Sequence, residues 1–229
     1  MKRILVLTAL SVLAAVGEGP DLTKLEGALS ADPDNIRVGS EYRQAVIQAK
    51  EYDRCLKFFE KLVADHPKSG NAYLNYGFAY VDKIPASGSI TQVILANTAL
   101  SYFTKSIELQ PSWIGYYTRG NSYLYWPKIF ARAHLGVDDL EQCMKMQKSD
   151  KQRKYFVRAY ISLGDGYFKM EDIPKAKAIW QDGVKLYPDN AQLKARLSKD
   201  GDDLGAYIND VLDPNKRVDT DLHEIWEAK

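Results

Sequence analysis

The side chains suited to metal, redox or acid–base chemistry are few and scattered: His66, His134 and His223, with the two cysteines Cys55 and Cys143. A zinc or haem attachment site gathers its ligands at short spacing, as cysteine pairs or as histidines three to five residues apart. None of the three histidines has such a neighbour. The chain also lacks the glycine-rich phosphate cradle G-x-x-x-x-G-K-[ST], the dinucleotide turn G-x-G-x-x-G and the nucleophile turn G-x-S-x-G. No catalytic, cofactor or metal constellation is therefore expected, and an enzyme is not expected.

Charge narrows the partners further. The 229 residues carry 31 basic and 30 acidic side chains, without the electrostatic footprint of a general nucleic-acid binder. The run "KSDKQRK" (148–154) reads as a solvated end between helices. What the chain does have in quantity is tyrosine, fifteen in all, many at helical spacing. Such residues either pack helices together or supply rigid contact area to a partner.

The elements that must carry them are punctuated by one recurring phrase: "LSADPDN" (29–35), "LVADHPKS" (62–69), "LQPSW" (109–113) and "KLYPDN" (185–190). The prolines Pro33, Pro67, Pro111 and Pro188 lie 34, 44 and 77 residues apart, which is a period of 34 interrupted by insertions of about ten. Proline cannot continue a helix, so each one ends a helix and turns the chain into the next unit. A fixed period of 34 is the signature of stacked helical hairpins.

Residues 157–190 carry a specific resemblance. Tyr160, Leu163, Gly164, Tyr167, Ala176, Trp180, Gly183 and Pro188 stand at slots 4, 7, 8, 11, 20, 24, 27 and 32 of a 34-residue unit. This segment resembles a tetratricopeptide repeat (TPR), with Gly183 smaller than the usual alanine. The unit at 70–113 repeats the pattern with Tyr73, Tyr76, Gly77 and Tyr80, and its second helix resumes late with Ala99, Phe103 and Ser106. The unit at 36–69 fits less well, because Arg43 stands where a small residue is favoured. The unit at 114–156 diverges most, although Leu140 and Met144 suit the buried face of its second helix. The resemblance implies an all-α, TPR-like solenoid of stacked antiparallel hairpins over 18–200, opened by a half-repeat (20–35) and closed by a capping segment (201–229). The tail after residue 213 is expected to run back over the surface, with Trp226 as its anchor.

In such an array Cys55 and Cys143 fall in second helices two units apart. Neighbouring helices pack about 10 Å apart, and a disulfide needs Cα atoms within about 7 Å. Two buried free thiols are expected.

TPR arrays generally receive a protein or peptide partner in a concave groove lined by first helices. Carried over slot by slot, the resemblance gives Arg37, Ser40, Gln44 and Gln48, then Asn71, Leu74, Phe78 and Asp82. The third unit gives Tyr117, Asn121, Leu124 and Tyr125, and the fourth Arg158, Ile161, Asp165 and Phe168. Of these, Asn71, Leu74, Phe78, Tyr117, Asn121, Tyr125, Arg158 and Asp165 are the candidate partner-binding residues. A clamp for a terminal carboxylate, which some TPR proteins build from Lys, Asn and Arg, is not expected, since only Asn75 and Arg158 fall near its slots.

Two insertions, 81–93 and 123–137, should emerge on the same edge of the stack. Trp126, Pro127, Ile129 and Phe130 make the second either a packed lid or an exposed partner site. At the amino end, Lys2 and Arg3 precede the apolar run 4–16, broken by Gly17 to Pro20, which reads as an export signal (1–17) too short to span a membrane. An uncleaved anchor and a cytoplasmic helix are the alternatives. The expectation is an exported, periplasmic or extracellular, non-enzymatic scaffold with a protein or peptide partner, assisting assembly of an envelope complex. It takes no nucleic acid and, after signal cleavage, no membrane. A small-ligand pocket near 123–137 and a self-associating homo-oligomer are the other readings.

Overall fold

Each recurring proline stands two residues beyond the last residue of a helix, and the same hydrogen bond closes all four helices. Asp32, His66, Gln110 and Tyr187 donate their backbone N–H to the carbonyls of Ala28, Leu62, Ser106 and Gly183, at 2.8–3.0 Å. The phrase does a second job that the spacing of its prolines does not announce. The Asn or Ser that follows each proline caps the next helix: Asn35, Ser69, Ser112 and Asn190 accept from the amides of Val38, Ala72, Gly115 and Leu193, at 3.0–3.1 Å. Each such cap is worth roughly 0.5–2 kcal/mol. One short phrase therefore stops one helix and starts the next.

The structure, a computed structural model, describes residues 21–216 and 218–227, and the export-signal reading of 1–17 lies outside the described residues. Among the described residues there are twelve α-helices and no strand. Helix α1 (Leu22–Ala31) precedes the pairs α2 (Ile36–Ala49) with α3 (Tyr52–Asp65), α4 (Gly70–Lys83) with α5 (Ser89–Leu109), α6 (Trp113–Leu124) with α7 (Ala133–Lys148), and α8 (Val157–Lys169) with α9 (Ile173–Leu186). Helices α10 (Ala191–Leu197), α11 (Gly201–Val211) and α12 (His223–Glu227) complete the chain. No helix among the described residues is long and apolar enough to cross a membrane.

Within the hairpins, a missing side chain admits a ring. A Cβ on Gly164 would lie 2.1 Å from the indole nitrogen of Trp180, and one on Gly77 would lie 2.4 Å from the ring of Phe103. Trp180 is fully buried and donates its Nε1 hydrogen to the Ile161 carbonyl at 3.3 Å. Close helix approach at these two glycines sets the depth of the hairpins, as slot 8 of the repeat requires.

The core is not continuous. One apolar cluster joins α1 to α5 through Leu29, Tyr42, Phe59 and Tyr76, and another joins α6 to α11 through Leu124, Leu140, Leu163 and Trp180. Helix α2 packs on α4, and α6 on α8, whereas α4 and α6 touch far less. A third cluster fills that seam: Leu74, Phe78, Ala99 and Phe103 close around Leu222, with Ile114 and Trp226 against them. The tail thus runs back onto the stack with Trp226 packed against it, and goes deeper than a surface course. It enters the concave face at the seam, and Leu222, 7 % exposed, is its deepest apolar side chain, while Trp226 packs only at the edge.

The second helix of the 70–113 unit starts earlier than its late resumption at Ala99 implied, at Ser89. Apart from a 3-10 turn at Ile84–Ala86, the first insertion is absorbed as the first turns of α5, which runs for 21 residues. "SITQVIL" holds no helix breaker and no charge, so once Gly88 begins the helix nothing ends it before Gln110. Its outer stripe leaves Ile90 82 % exposed. The second insertion reaches it: Arg132 donates to the Asn97 side-chain oxygen at 2.9 Å and covers the Trp126 ring at 3.7 Å. Trp126 is buried, while Ile129 at the tip is 88 % exposed. This segment is therefore lid at its base and exposed apolar surface at its tip.

Cys55 and Cys143 are free and buried, on α3 and α7. Burial pushes both thiols up, which removes them from thiolate chemistry.

Candidate functional site

The first helices α2, α4, α6 and α8 form one wall, and the tail lies chiefly against its amino-terminal half and reaches Arg158 on α8. Arg43 is wholly buried there, the misfit of its repeat unit put to use. Its Nε donates to Asn75 Oδ1 at 3.1 Å, its Nη1 to Asp82 Oδ2 at 3.0 Å and its Nη2 to the Thr220 carbonyl at 3.0 Å. The guanidinium also lies 4.5 Å from the centre of the Phe78 ring. A buried ion pair is tolerable only when further hydrogen bonds satisfy its remaining groups. Here the tail provides two of them, because Thr220 also donates its hydroxyl hydrogen to Asp82 Oδ1.

The rest of the tail is held along its backbone and its acidic side chains. Leu222 donates its N–H to Ser40 Oγ at 3.2 Å. Glu224 accepts from Arg158 Nε at 2.9 Å, and Asp219 lies 3.7 Å from the same guanidinium. That hydrogen bond holds the Glu224 carboxyl below the usual glutamate range, with burial opposing it. Burial works against the charge of Arg158, but Glu224 and the Tyr117 hydroxyl outweigh it and raise its pKa.

The carboxy-terminal half of the wall is open, forming a cleft of about 570 Å³ between α6, α8, α10 and the tail. Its floor is a second buried pair. Arg196 on α10 donates Nε and Nη2 to the two oxygens of Asp165, both at 2.6 Å, and its Nη1 to the Gln192 carbonyl one turn back at 3.1 Å. Burial opposes the Arg196 charge, and the Asp165 carboxylate raises its pKa nonetheless. Above this floor, Ser162 donates to Asn121 Oδ1 at 2.9 Å. Tyr117 stacks on Trp113 with ring centres 5.0 Å apart, and burial raises its hydroxyl pKa. Burial likewise pushes Tyr125 up to about 12.

The structure thus sorts the eight candidate residues. Tyr117, Asn121, Tyr125, Arg158 and Asp165 surround the open cleft. Leu74 and Phe78 lie under Leu222. Asn71 is apart from both, with its amide and side chain bonded to Asp34 in the turn before α2. Sequence reasoning missed Arg43 and Arg196. The signal for Arg43 was its presence in a slot meant for a small residue, and Asn75 serves Arg43 instead of a terminal carboxylate. Many of the tyrosines pack instead of binding: Tyr76, Tyr80 and Tyr102 stand ring against ring, 4.2–5.5 Å apart.

A second, apolar cavity of about 320 Å³ lies where the insertions meet, lined by Val93, Tyr125, Trp126, Pro127 and Phe130. Among the described residues no group of three or more His, Cys, Asp or Glu side chains is arranged to hold a metal ion.

No protein-family model matches the chain, and no curated protein matches it significantly in sequence. Solved structures do match in shape. A thermophilic TPR protein of Thermus thermophilus, TTC0263, superposes with a TM-score of 0.57 at 18 % identity, covering 77 % of this chain and 87 % of that one. A MamA RS-1 ArsTM double mutant gives 0.53 at 18 % identity over 92 % and 96 % of the two chains. The MamA protein gives 0.50 at 15 % identity over 79 % and 85 %. At these identities the likeness concerns the fold alone, and with the four hairpins described above it makes this chain an all-α, TPR-like solenoid.

Proposed function

We propose that the protein is an exported, non-enzymatic scaffold whose concave face binds a segment of a protein partner and thereby assists assembly of an envelope complex. One observation carries this reading: a chain segment, the protein's own tail, already lies against that face through backbone and side-chain hydrogen bonds. A surface that binds one peptide by backbone groups is chemically equipped to bind another. The open cleft beside it offers aromatic rings, Tyr117 and Tyr125, next to polar groups, a composition suited to contact area at low entropic cost. The export part of the reading rests on the sequence of residues 1–17.

A photoreactive side chain at Tyr125 in living cells tests the binding. The expected result is a discrete protein adduct that disappears when Asn121 and Arg158 are both replaced by alanine. Absence of any adduct, or an adduct indifferent to those substitutions, contradicts it. Mass spectrometry of the cell-derived chain tests export, with a mature amino terminus near residue 18 expected and an intact amino terminus in the cytoplasm contradicting it.

The apolar cavity favours one other reading, a small apolar ligand held by Trp126 and Phe130. A ligand that binds only the folded state raises its melting temperature. A thermal-shift screen with a metabolite hit, abolished by Phe130→Asp, would favour that reading over the scaffold.

A further inference from the structure

We infer that residues 219–224 are a built-in occupant of the groove, a strap acting within one molecule, and that the partner is an acidic segment bearing Thr-x-Leu-x-Glu that must displace it. This deepens the scaffold reading and rests on it.

The contacts define what such a segment needs. Arg43 Nη2 takes a backbone carbonyl, at Thr220, and Ser40 Oγ takes a backbone N–H, at Leu222. Those two bonds fix the register and belong to any chain. Three side chains then select: a hydroxyl that donates to Asp82, an aliphatic group that fills the seam between Leu74, Phe78 and Phe103, and a carboxylate two residues later that meets Arg158. Thr220 and Leu222, two residues apart, face the wall from the irregular stretch 218–222, and the first turn of α12 then carries Glu224 to Arg158. The acidic character follows from the groove, where Arg158 faces Asp219 and Glu224 of the tail and Ser40 faces Asp221.

Two further observations point to an occupant that can be exchanged. The tail hangs from α11 by residues 213–218, of which Pro214, Asn215 and Lys216 are exposed, so it can leave without unfolding a hairpin. It also fits the seam imperfectly. Beneath it remains a space of about 60 Å³, lined by Thr118 among others, and Thr118 is 6 % exposed with no hydrogen-bond partner for its hydroxyl among the described residues. A buried hydroxyl without a partner is disfavoured, so a segment that reached Thr118 would gain over the tail. A tethered segment competes at an effective concentration in the millimolar range, which sets how strongly a free partner must bind.

The probe is a fluorescent synthetic peptide spanning residues 213–229, titrated against the full chain and against a full-chain Thr220→Val, Leu222→Asp variant. The variant should bind the peptide at least tenfold more tightly than the wild type does, and a peptide carrying the same two substitutions should not bind. Equal binding to both proteins, or no binding to the opened variant, overturns the inference. Should the variant lose its fold, a protease site in place of Asn215 and Lys216 allows the tail to be severed after folding, and severance must then permit the labelled peptide to exchange in. A concentration-dependent wild-type dimer in light scattering that Leu222→Asp dissolves would place the tail in a neighbour's groove and also overturn it. The two levels separate cleanly: if the peptide fails at the opened groove while the Tyr125 adduct persists, the tail's code is wrong and the scaffold stands. If the peptide binds but no cellular adduct forms, the scaffold reading is the one that fails.

Discussion

Two buried arginine–aspartate pairs lie beneath the two halves of the concave face, and they differ in what completes them. Arg196 and Asp165 are completed without the tail: both carboxylate oxygens meet the guanidinium, which also donates to a carbonyl of its own helix and lies 5.4 Å from the centre of the Tyr207 ring on α11. Arg43 meets Asp82 through Nη1, and the tail supplies an acceptor to the arginine and a donor to the aspartate. The pair beneath the carboxy-terminal half is therefore complete without the tail and stands beside an open cleft. The amino-terminal half is built to be covered by a passing chain. Burial of a charge pair is tolerated only when its remaining bonds are made, and in the amino-terminal half it is the tail that makes them.

The strongest way to break the comparison is to remove one arginine at a time. Loss of one partner of a buried pair costs about 3–5 kcal/mol, so Arg43→Met and Arg196→Met should each lower the denaturant midpoint by a similar amount. They should differ in where the damage shows. Arg43→Met should release residues 218–226 to fast amide exchange, whereas Arg196→Met should leave their protection intact. Similar exchange of the tail in both variants would show that the halves are not distinct.

A smaller effect comes from the tail side. Leu222→Ala removes a buried side chain from the seam, worth about 2 kcal/mol or more for aliphatic truncations. Tail protection should fall, and the melting of α8 and α9 should be unchanged. Thr220→Val removes the hydroxyl from Asp82 and should weaken tail docking by about 1 kcal/mol, read as a proportionate rise in exchange at residues 218–226. Equal tail protection in wild type and Thr220→Val would remove the hydroxyl from the recognition pattern.

How much of this was legible in the sequence follows from the kind of code involved. Pro33, Pro67, Pro111 and Pro188 announced the hairpins because a helix stop acts locally, and Gly164 with Trp180 announced the internal packing because a ring needs a missing Cβ. The cap residues Asn35, Ser69, Ser112 and Asn190 were equally local and could have been read from the same phrase. The groove occupant could not. Thr220 meets Asp82 across 138 residues of chain, and no periodicity links them; only Arg43, out of place in its unit, hinted that something polar had to arrive. The extra turns of α5 were not legible because an insertion counted against a 34-residue period says how many residues are added and nothing of their conformation.

The smallest expected effect is electrostatic. Glu224 is held low when docked, chiefly by its hydrogen bond to Arg158, with His223 assisting and burial and Asp221 opposing. A carboxyl whose pKa is depressed by docking contributes above its undocked value and loses that contribution as pH falls through the docked one. Docking should therefore be steady near neutrality and weaken below about pH 4.5, the ordinary glutamate value. Since Glu224 is 42 % exposed, solvent screening limits the effect to less than about 1 kcal/mol. Fluorotryptophan spectra, with Trp226 assigned by Trp226→Phe, should show the change, and Glu224→Gln should abolish it.

The central claim is that the concave face holds the chain's own tail, and hydrogen exchange of the wild-type chain near neutral pH tests it most directly. The Leu222 amide, bonded to Ser40 Oγ, and its neighbours in 218–226 should exchange many-fold more slowly than in the isolated peptide, and Ser40→Ala should selectively speed the Leu222 amide. Exchange of the whole segment at the rate of the free peptide would contradict the account.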